Sequence, residues 1–156
     1  MIVRIATPAD ATGMTALLNA VIAAGGTTAH ETPMTAAEVQ GHFIDGPGVL
    51  SSVVAEEEGR IIGWQSVGWW HDDPHIGTFV LPGLQAKGVG SALFAATLAK
   101  LRGGDVDRII AWIRADNVPG LAYYARIGFR DVGGDPGFAL KDGRTVRRIH
   151  RRFDLV

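Results

Sequence analysis

Residues Leu84 to Leu93 read LQAKGVGSAL: a polar Gln85, then Lys87, then Gly88 and Gly90 leading into an Ala/Leu-rich run. A strand, a short glycine turn and a helix together make an anion site. The first N–H groups of a helix lack partners inside it, and the helix dipole adds positive character there. Gly88 and Gly90 carry no side chain to hold a pyrophosphate away from the main chain, and Lys87 supplies a point charge. A Walker loop needs Gly-Lys-Ser/Thr, which is absent, and a dinucleotide fingerprint needs a third glycine where Leu93 stands. Two readings remain at this point: a plain glycine turn before a helix, or a cradle for some other phosphorylated group.

Further polar residues have types suited to proton transfer. Tyr124 offers a phenol with an ordinary pKa of about 10, on a helix face shared with Leu121 and Ile127. Tyr123 points about 100° away and is expected to pack. Asn117 suits the cap of that helix, a contact with the cofactor, or both at once. His75 offers an imidazole that titrates near neutrality, and alternation along an extended chain puts it on one face with Gly77 and Phe79. His71, Asp72, Asp73 and His75 contain metal-ligating types, but no helix fixes their spacing and no metal is expected. Glu31, beside His30, is a further carboxylate in a glycine-rich loop.

The elements that must position these groups can be read in order. MIVRIA alternates like a strand; TPAD then starts a helix with Thr7 as cap and Pro8 in the first position. Met14, Leu17, Leu18, Val21 and Ile22 give that helix an apolar stripe. TAAE, from Thr35, is a capping box for a second, short helix. VLSSVVAEE and RIIGWQSVGWW flank the turn EGR as a hairpin, and PHIGTFVLPG is a strand ended by Pro82 and Gly83. A helix runs from Gly88 to Arg102, DRIIAWIRA is a strand, and DNVPGLAYYARIGF is a helix with Pro119 in its first turn. A closing hairpin turns at KDGR. Strand, two helices, three strands, helix, strand, helix and two strands predict an α/β (α+β) fold. It is expected to form one domain over residues 1–156, with a central mixed, mostly antiparallel sheet and about four helices.

With the elements placed, VLPGLQAKGVGSAL resembles the acyl-CoA-binding motif of the GNAT superfamily of N-acyltransferases, Q/R-x-x-G-x-G/A after a strand ending in Pro. Gln85, Gly88 and Gly90 fall on its positions. NVPGLAYYARIGF resembles that superfamily's second motif, with Asn117, Tyr124, Gly128 and Phe129 in place. The resemblance implies acetyl-CoA as cosubstrate. Its diphosphate would rest on the N–H groups of Gln85, Ala86, Lys87, Gly88, Val89, Gly90 and Ser91, with Asn117 near by. The pantetheine arm would pair with the main chain around Phe79 to Leu81, with Val80 and Leu81 in contact, and the Val80 N–H would donate to the thioester oxygen. Tyr124 holds the place of the acid that protonates the departing thiolate. His75 holds the place of a base that is often Glu, with Glu31 as the alternative base or a substrate contact.

The stretches RIATPADATGMTALLNAV, TTAHETPMTAAEV and KDGR resemble more narrowly the phosphinothricin and amino-acid N-acetyltransferase branch. Three features depart from it: His75 replaces the Glu, the segment from Trp70 to Phe79 is short, and an Asp usual after the final turn is missing near Arg147. Trp64, Trp69 and Trp70 are expected in the core, at a dimer contact or along an apolar pocket.

Composition sets the outer bounds. With 47% apolar and 20% charged residues and a formal charge of -1, the chain has no global pull toward nucleic acid or an anionic membrane. The cluster Lys141, Arg144, Arg147, Arg148, Arg151 and Arg152 reads as the solvated face of a last strand. The absence of cysteine excludes disulfides and a thiol nucleophile, and the expected location is cytoplasmic. The reaction expected is acetyl transfer to a small-molecule amine, with a homodimer allowed. The alternatives are a protein or tRNA acceptor, and a non-catalytic acyl-CoA-binding module that has no use for Tyr124.

Overall fold

The computed structural model describes residues 1–84 and 87–155. The helix start read at TPAD is a 3-10 turn, Pro8–Asp10. Asp10 takes the Thr7 N–H at 2.8 Å and a bidentate pair from Arg4 at 2.8 Å. Helix α1 (Ala11–Ala24) follows and buries Met14, Leu17, Leu18 and Val21, the stripe read from the sequence. Helix α2 (Ala36–Phe43) opens on the expected capping box: the Glu38 N–H reaches the Thr35 hydroxyl, and the Thr35 N–H reaches the Glu38 carboxylate. Strands β2 (Val49–Glu57) and β3 (Arg60–Trp70) form the predicted hairpin. Its turn places Glu58 and Gly59 at φ 50° and 76°, the mirror-image geometry that suits strand twist.

The remaining elements complete one seven-stranded sheet in the order β1-β2-β3-β4-β5-β7-β6. They are β1 (Ile2–Ile5), β4 (Asp73–Val80), α3 (Val89–Leu101), β5 (Arg108–Arg114), α4 (Val118–Arg126), β6 (Arg130–Ala139) and β7 (Thr145–Asp154). Every neighbouring pair is antiparallel except β4 and β5, which run parallel. With four α-helices among the described residues, this is the mixed, mostly antiparallel α/β fold that the element order predicts.

Alternation along the strands divides the core. Trp64 and Phe79 face α1 and α2, and the Trp64 indole N–H donates to the Met14 carbonyl at 3.1 Å. Val53, Ala55 and Ile62 face the start of α3. Ile109, Ala111 and Ile113 pack with Phe94, Tyr124 and Phe129 under α3 and α4. Most of the C-terminal basic cluster pairs with aspartates: Arg144 with Asp142, Arg148 with Asp135, Arg151 with Asp131 and Arg152 with Asp154.

Candidate active site

The parallel pair β4–β5 sets the site. Among the described residues the two strands bridge only once, His75 with Ile110, and beyond that bridge they part. The Leu81 N–H donates to Ile62 on β3 at 2.9 Å. Backbone groups alternate sides along a strand, so Phe79 and Gly77 also turn toward β3, while the N–H groups of Val80 and Thr78 point into the opening toward β5. A cavity of about 650 Å³ occupies this opening. Thr78, Phe79 and Val80 line one wall, Gly88, Gly90 and Ser91 the head of α3, and Asn117, Tyr123 and Arg126 the α4 side.

The head of α3 is built as its glycines require. Gly88 caps the helix at φ 81°, a left-handed conformation open to glycine at little cost, and no atom lies within 4 Å of where its Cβ would stand. The first intrahelical bond runs from the Ala92 N–H to the Gly88 carbonyl, so the N–H groups of Val89, Gly90 and Ser91 have no partner inside the helix. Val89 is buried against the sheet, whereas Lys87, Gly88 and Ser91 are exposed. Gly90 has a different reason: a Cβ there would stand 2.6 Å from the Tyr123 ring. Its missing side chain makes room for Tyr123 rather than for phosphate. Gln85 and Ala86, also assigned to the cofactor, lie outside the described residues.

Behind this wall lies a polar network that sequence reasoning missed. The Thr97 hydroxyl donates to the Gln65 Oε1 at 2.6 Å, and Gln65 Nε2 donates to Thr78 Oγ1 at 2.9 Å and to the Tyr123 oxygen at 3.1 Å. Tyr123 donates to the Gly90 carbonyl at 2.8 Å, and Thr78 and Tyr124 share a hydrogen bond of 2.9 Å. Tyr123, expected to pack, therefore lines the cavity, while the Tyr124 hydroxyl sits behind Thr78 and the residue is only 8% exposed. Burial raises both phenols, Tyr123 to about 12. The available signal was Gln65, an amide in the middle of a strand rich in apolar residues.

Asn117 does more than cap. Its Oδ1 accepts the Gly120 N–H at 3.0 Å while its Nδ2 donates to the Thr27 carbonyl at 2.9 Å. Arg114, its guanidinium held by Asp116, donates to the Thr28 carbonyl at 3.0 Å. The loop between α1 and α2 is thereby strapped across the opening. Glu31 extends the strap, its carboxylate accepting the Lys141 N–H at 3.0 Å, and is not on the cavity wall.

His75 is also absent from that wall. It lies five residues before Val80, about 16 Å along the strand, and its ring meets Trp70 and Trp112 edge-on at 4.9 and 5.0 Å. Its Nε2 is buried and, among the described residues, has no hydrogen-bond partner. Burial drives its pKa down to about 4, against a smaller upward pull from Asp73, so the imidazole is neutral at pH 7. Trp64 is fully buried, while Trp69 and Trp70 are each 48% exposed. Among the described residues no three His, Asp or Glu side chains are grouped to hold a metal, and no helix is long and apolar enough to cross a membrane.

A parallel strand pair parts over a cavity headed by a glycine-capped helix, and comparison with known proteins places the chain. Residues 15–129 match the model of the acetyltransferase (GNAT) family, and the chain belongs to that family. It is 30% identical over 118 residues to phosphinothricin N-acetyltransferase of Streptomyces coelicolor, covering 72% of this chain and 63% of that protein. It is 37% identical over 88 residues to mycothiol acetyltransferase of Clavibacter michiganensis, covering 55% of this chain and 28% of that protein. The chain thus spans less than two thirds of either relative. The crystal structure of a phosphinothricin acetyltransferase from Sinorhizobium meliloti, in complex with acetyl-CoA, has the same fold. Its TM-score is 0.85 at 23% identity, over 98% of this chain and 87% of that one.

Proposed function

We propose that the protein transfers an acetyl group from acetyl-CoA to the primary amine of a small molecule, as one domain spanning residues 1–156. The observation that carries this reading is the Val80 N–H turned into the opening between β4 and β5, one strand-end away from the N–H groups at the head of α3 that have no partner inside the helix. The diphosphate rests on Gly88, Val89, Gly90 and Ser91, with Lys87 at the turn and Arg126 on the far wall. The pantetheine arm lies along Thr78 to Leu81. The Val80 N–H donates to the thioester oxygen as negative charge develops on it, a term worth a few kcal/mol in a site of this kind.

The amine attacks, a C–N bond forms, and the C–S bond breaks with its electron pair going to sulfur. The acceptor's proton leaves to water. His75 is enclosed by tryptophans and Glu31 is committed to the Lys141 N–H, which argues against either as the base. The thiolate departs against the Thr78–Tyr124 pair, Tyr124 being the residue that the family resemblance puts there. A small acceptor fits the strapped α1–α2 loop, which narrows the approach, and the names of the phosphinothricin and mycothiol relatives point the same way.

The test is incubation of acetyl-CoA and enzyme with pools of amino acids, polyamines, arylamines and aminoglycosides, read by mass spectrometry. One amine gaining one acetyl group is the expected result. Acetylation confined to added proteins or tRNA would overturn the small-molecule acceptor, and acetyl-CoA that binds without any acetyl leaving would overturn the transferase.

A further inference from the structure

The protons of the Gln65 network can be assigned one by one. The Gly90 carbonyl only accepts, so the Tyr123 hydroxyl must donate to it. The Tyr123 oxygen therefore receives the Gln65 Nε2–H, which fixes the amide with Oε1 toward the Thr97 hydroxyl. The second Nε2–H of Gln65 then goes to Thr78 Oγ1. Only the Thr78–Tyr124 bond remains to be oriented. If Thr78 donated, the Tyr124 proton would be buried without an acceptor among the described residues, the costly arrangement. Tyr124 therefore donates. Thr78 Oγ1 accepts twice, and its own proton is free to turn from the neighbouring Tyr123 oxygen to a group in the cavity. Thr78 lines the cavity; Tyr124 does not.

Resting on the acetyl-transfer reading, we propose that Thr78 is the catalytic residue that meets the departing sulfur, donating its hydroxyl hydrogen to the thiolate, and that Gln65 and Tyr124 are positioning residues that aim it. Two bonds accepted at one oxygen polarise the hydrogen that it donates. A hydrogen bond suffices, because a thiol's ordinary pKa of about 8.5 lies below a phenol's of about 10, and burial raises Tyr124 further. Full transfer of the Tyr124 proton would run uphill. The thiolate instead takes its proton from water on release, and Tyr124 stays neutral throughout.

The experiment is titration of coenzyme A bound to the protein, followed by thiolate absorbance; with no cysteine in the chain, the cofactor supplies the only thiol. In the wild type the bound thiol is expected to titrate about one unit below the free cofactor. Thr78→Val should remove that shift and lower kcat about 10- to 100-fold, the range for one hydrogen bond to a charged partner, with acetyl-CoA affinity unchanged. Thr78→Ser should keep both shift and rate, and Tyr124→Phe should lose part of each. Thr78→Val leaves two donors unpartnered, so the double variant Thr78→Val, Tyr124→Phe serves if the single one does not fold, and should match its expected values. A bound-thiol pKa that ignores the loss of the Thr78 hydroxyl would overturn the proposal. Wild-type protein that binds no coenzyme A would overturn the acetyl-transfer reading and Thr78's role with it.

Discussion

The Tyr123 hydroxyl donates to the Gly90 carbonyl at 2.8 Å, and the Tyr123 ring fills the space into which a Gly90 side chain would grow. One contact thus closes α4 onto the head of α3, joining the two stretches that carry the family resemblance.

Gly90→Ala should therefore act through Tyr123. A Cβ 2.6 Å from the ring forces it aside, an overpacking cost of about 1–3 kcal/mol, seen as a lower urea midpoint. Shortening the neighbour in a Gly90→Ala, Tyr123→Ser double variant should cost less than the two single changes added. Additive losses would mean that the ring and the glycine are not coupled.

Gly88 behaves differently because the space around it is open. Gly88→Glu must adopt the left-handed conformation, at about 1–2 kcal/mol, and puts a carboxylate where the diphosphate is proposed to lie. Acetyl-CoA affinity should fall below detection in a calorimetric titration while the far-UV circular dichroism is kept. A variant that binds normally would move the phosphate site elsewhere.

The two jobs of Asn117 can be separated. Asp keeps an oxygen for the Gly120 N–H but loses the donor to the Thr27 carbonyl; Ala loses both. Unfolding should show a loss of about 1 kcal/mol for Asn117→Ala beyond that of Asn117→Asp. Both variants should raise the acceptor's KM through the released loop. An Asp variant with wild-type KM would show that the strap does not shape the acceptor site.

His75 makes stability depend on pH. Folded His75 takes up a proton only near pH 4, whereas an unfolded histidine does so near 6.5. Between those values the unfolded chain binds the additional proton, so stability should fall as pH drops from about 6.5 to about 4. His75→Gln should flatten that part of the curve, and the rate above pH 6.5 should keep its profile because water takes the amine's proton. A limb of the rate profile that vanishes in His75→Gln would restore His75 as the base.

Local signals made much of this legible in the sequence. The order of elements, the Thr35–Glu38 capping box, the Glu58–Gly59 turn and Pro119 in the first turn of α4 all depend on neighbours within a few residues, and each stands as read. What could not be read was which side chains meet across the sheet. Gln65 meets Thr78 across a strand pair and Thr97 and Tyr123 from two helices. His75 is enclosed by Trp112 from β5, and Glu31 reaches Lys141 across 110 residues of sequence. Spacing within α4 separates Tyr123 from Tyr124 by about 100°, but the packing of α4 against α3 decides which of the two faces the cavity.

Acetyl transfer is tested by thiol release from acetyl-CoA with a chromogenic disulfide reagent, in the presence of amine pools. The chain contributes no thiol of its own. Release that requires one pool, and that disappears with Gly88→Glu, is the predicted result. A protein that binds acetyl-CoA yet releases no thiol with any amine would contradict it and leave a cofactor-binding module in place of an enzyme.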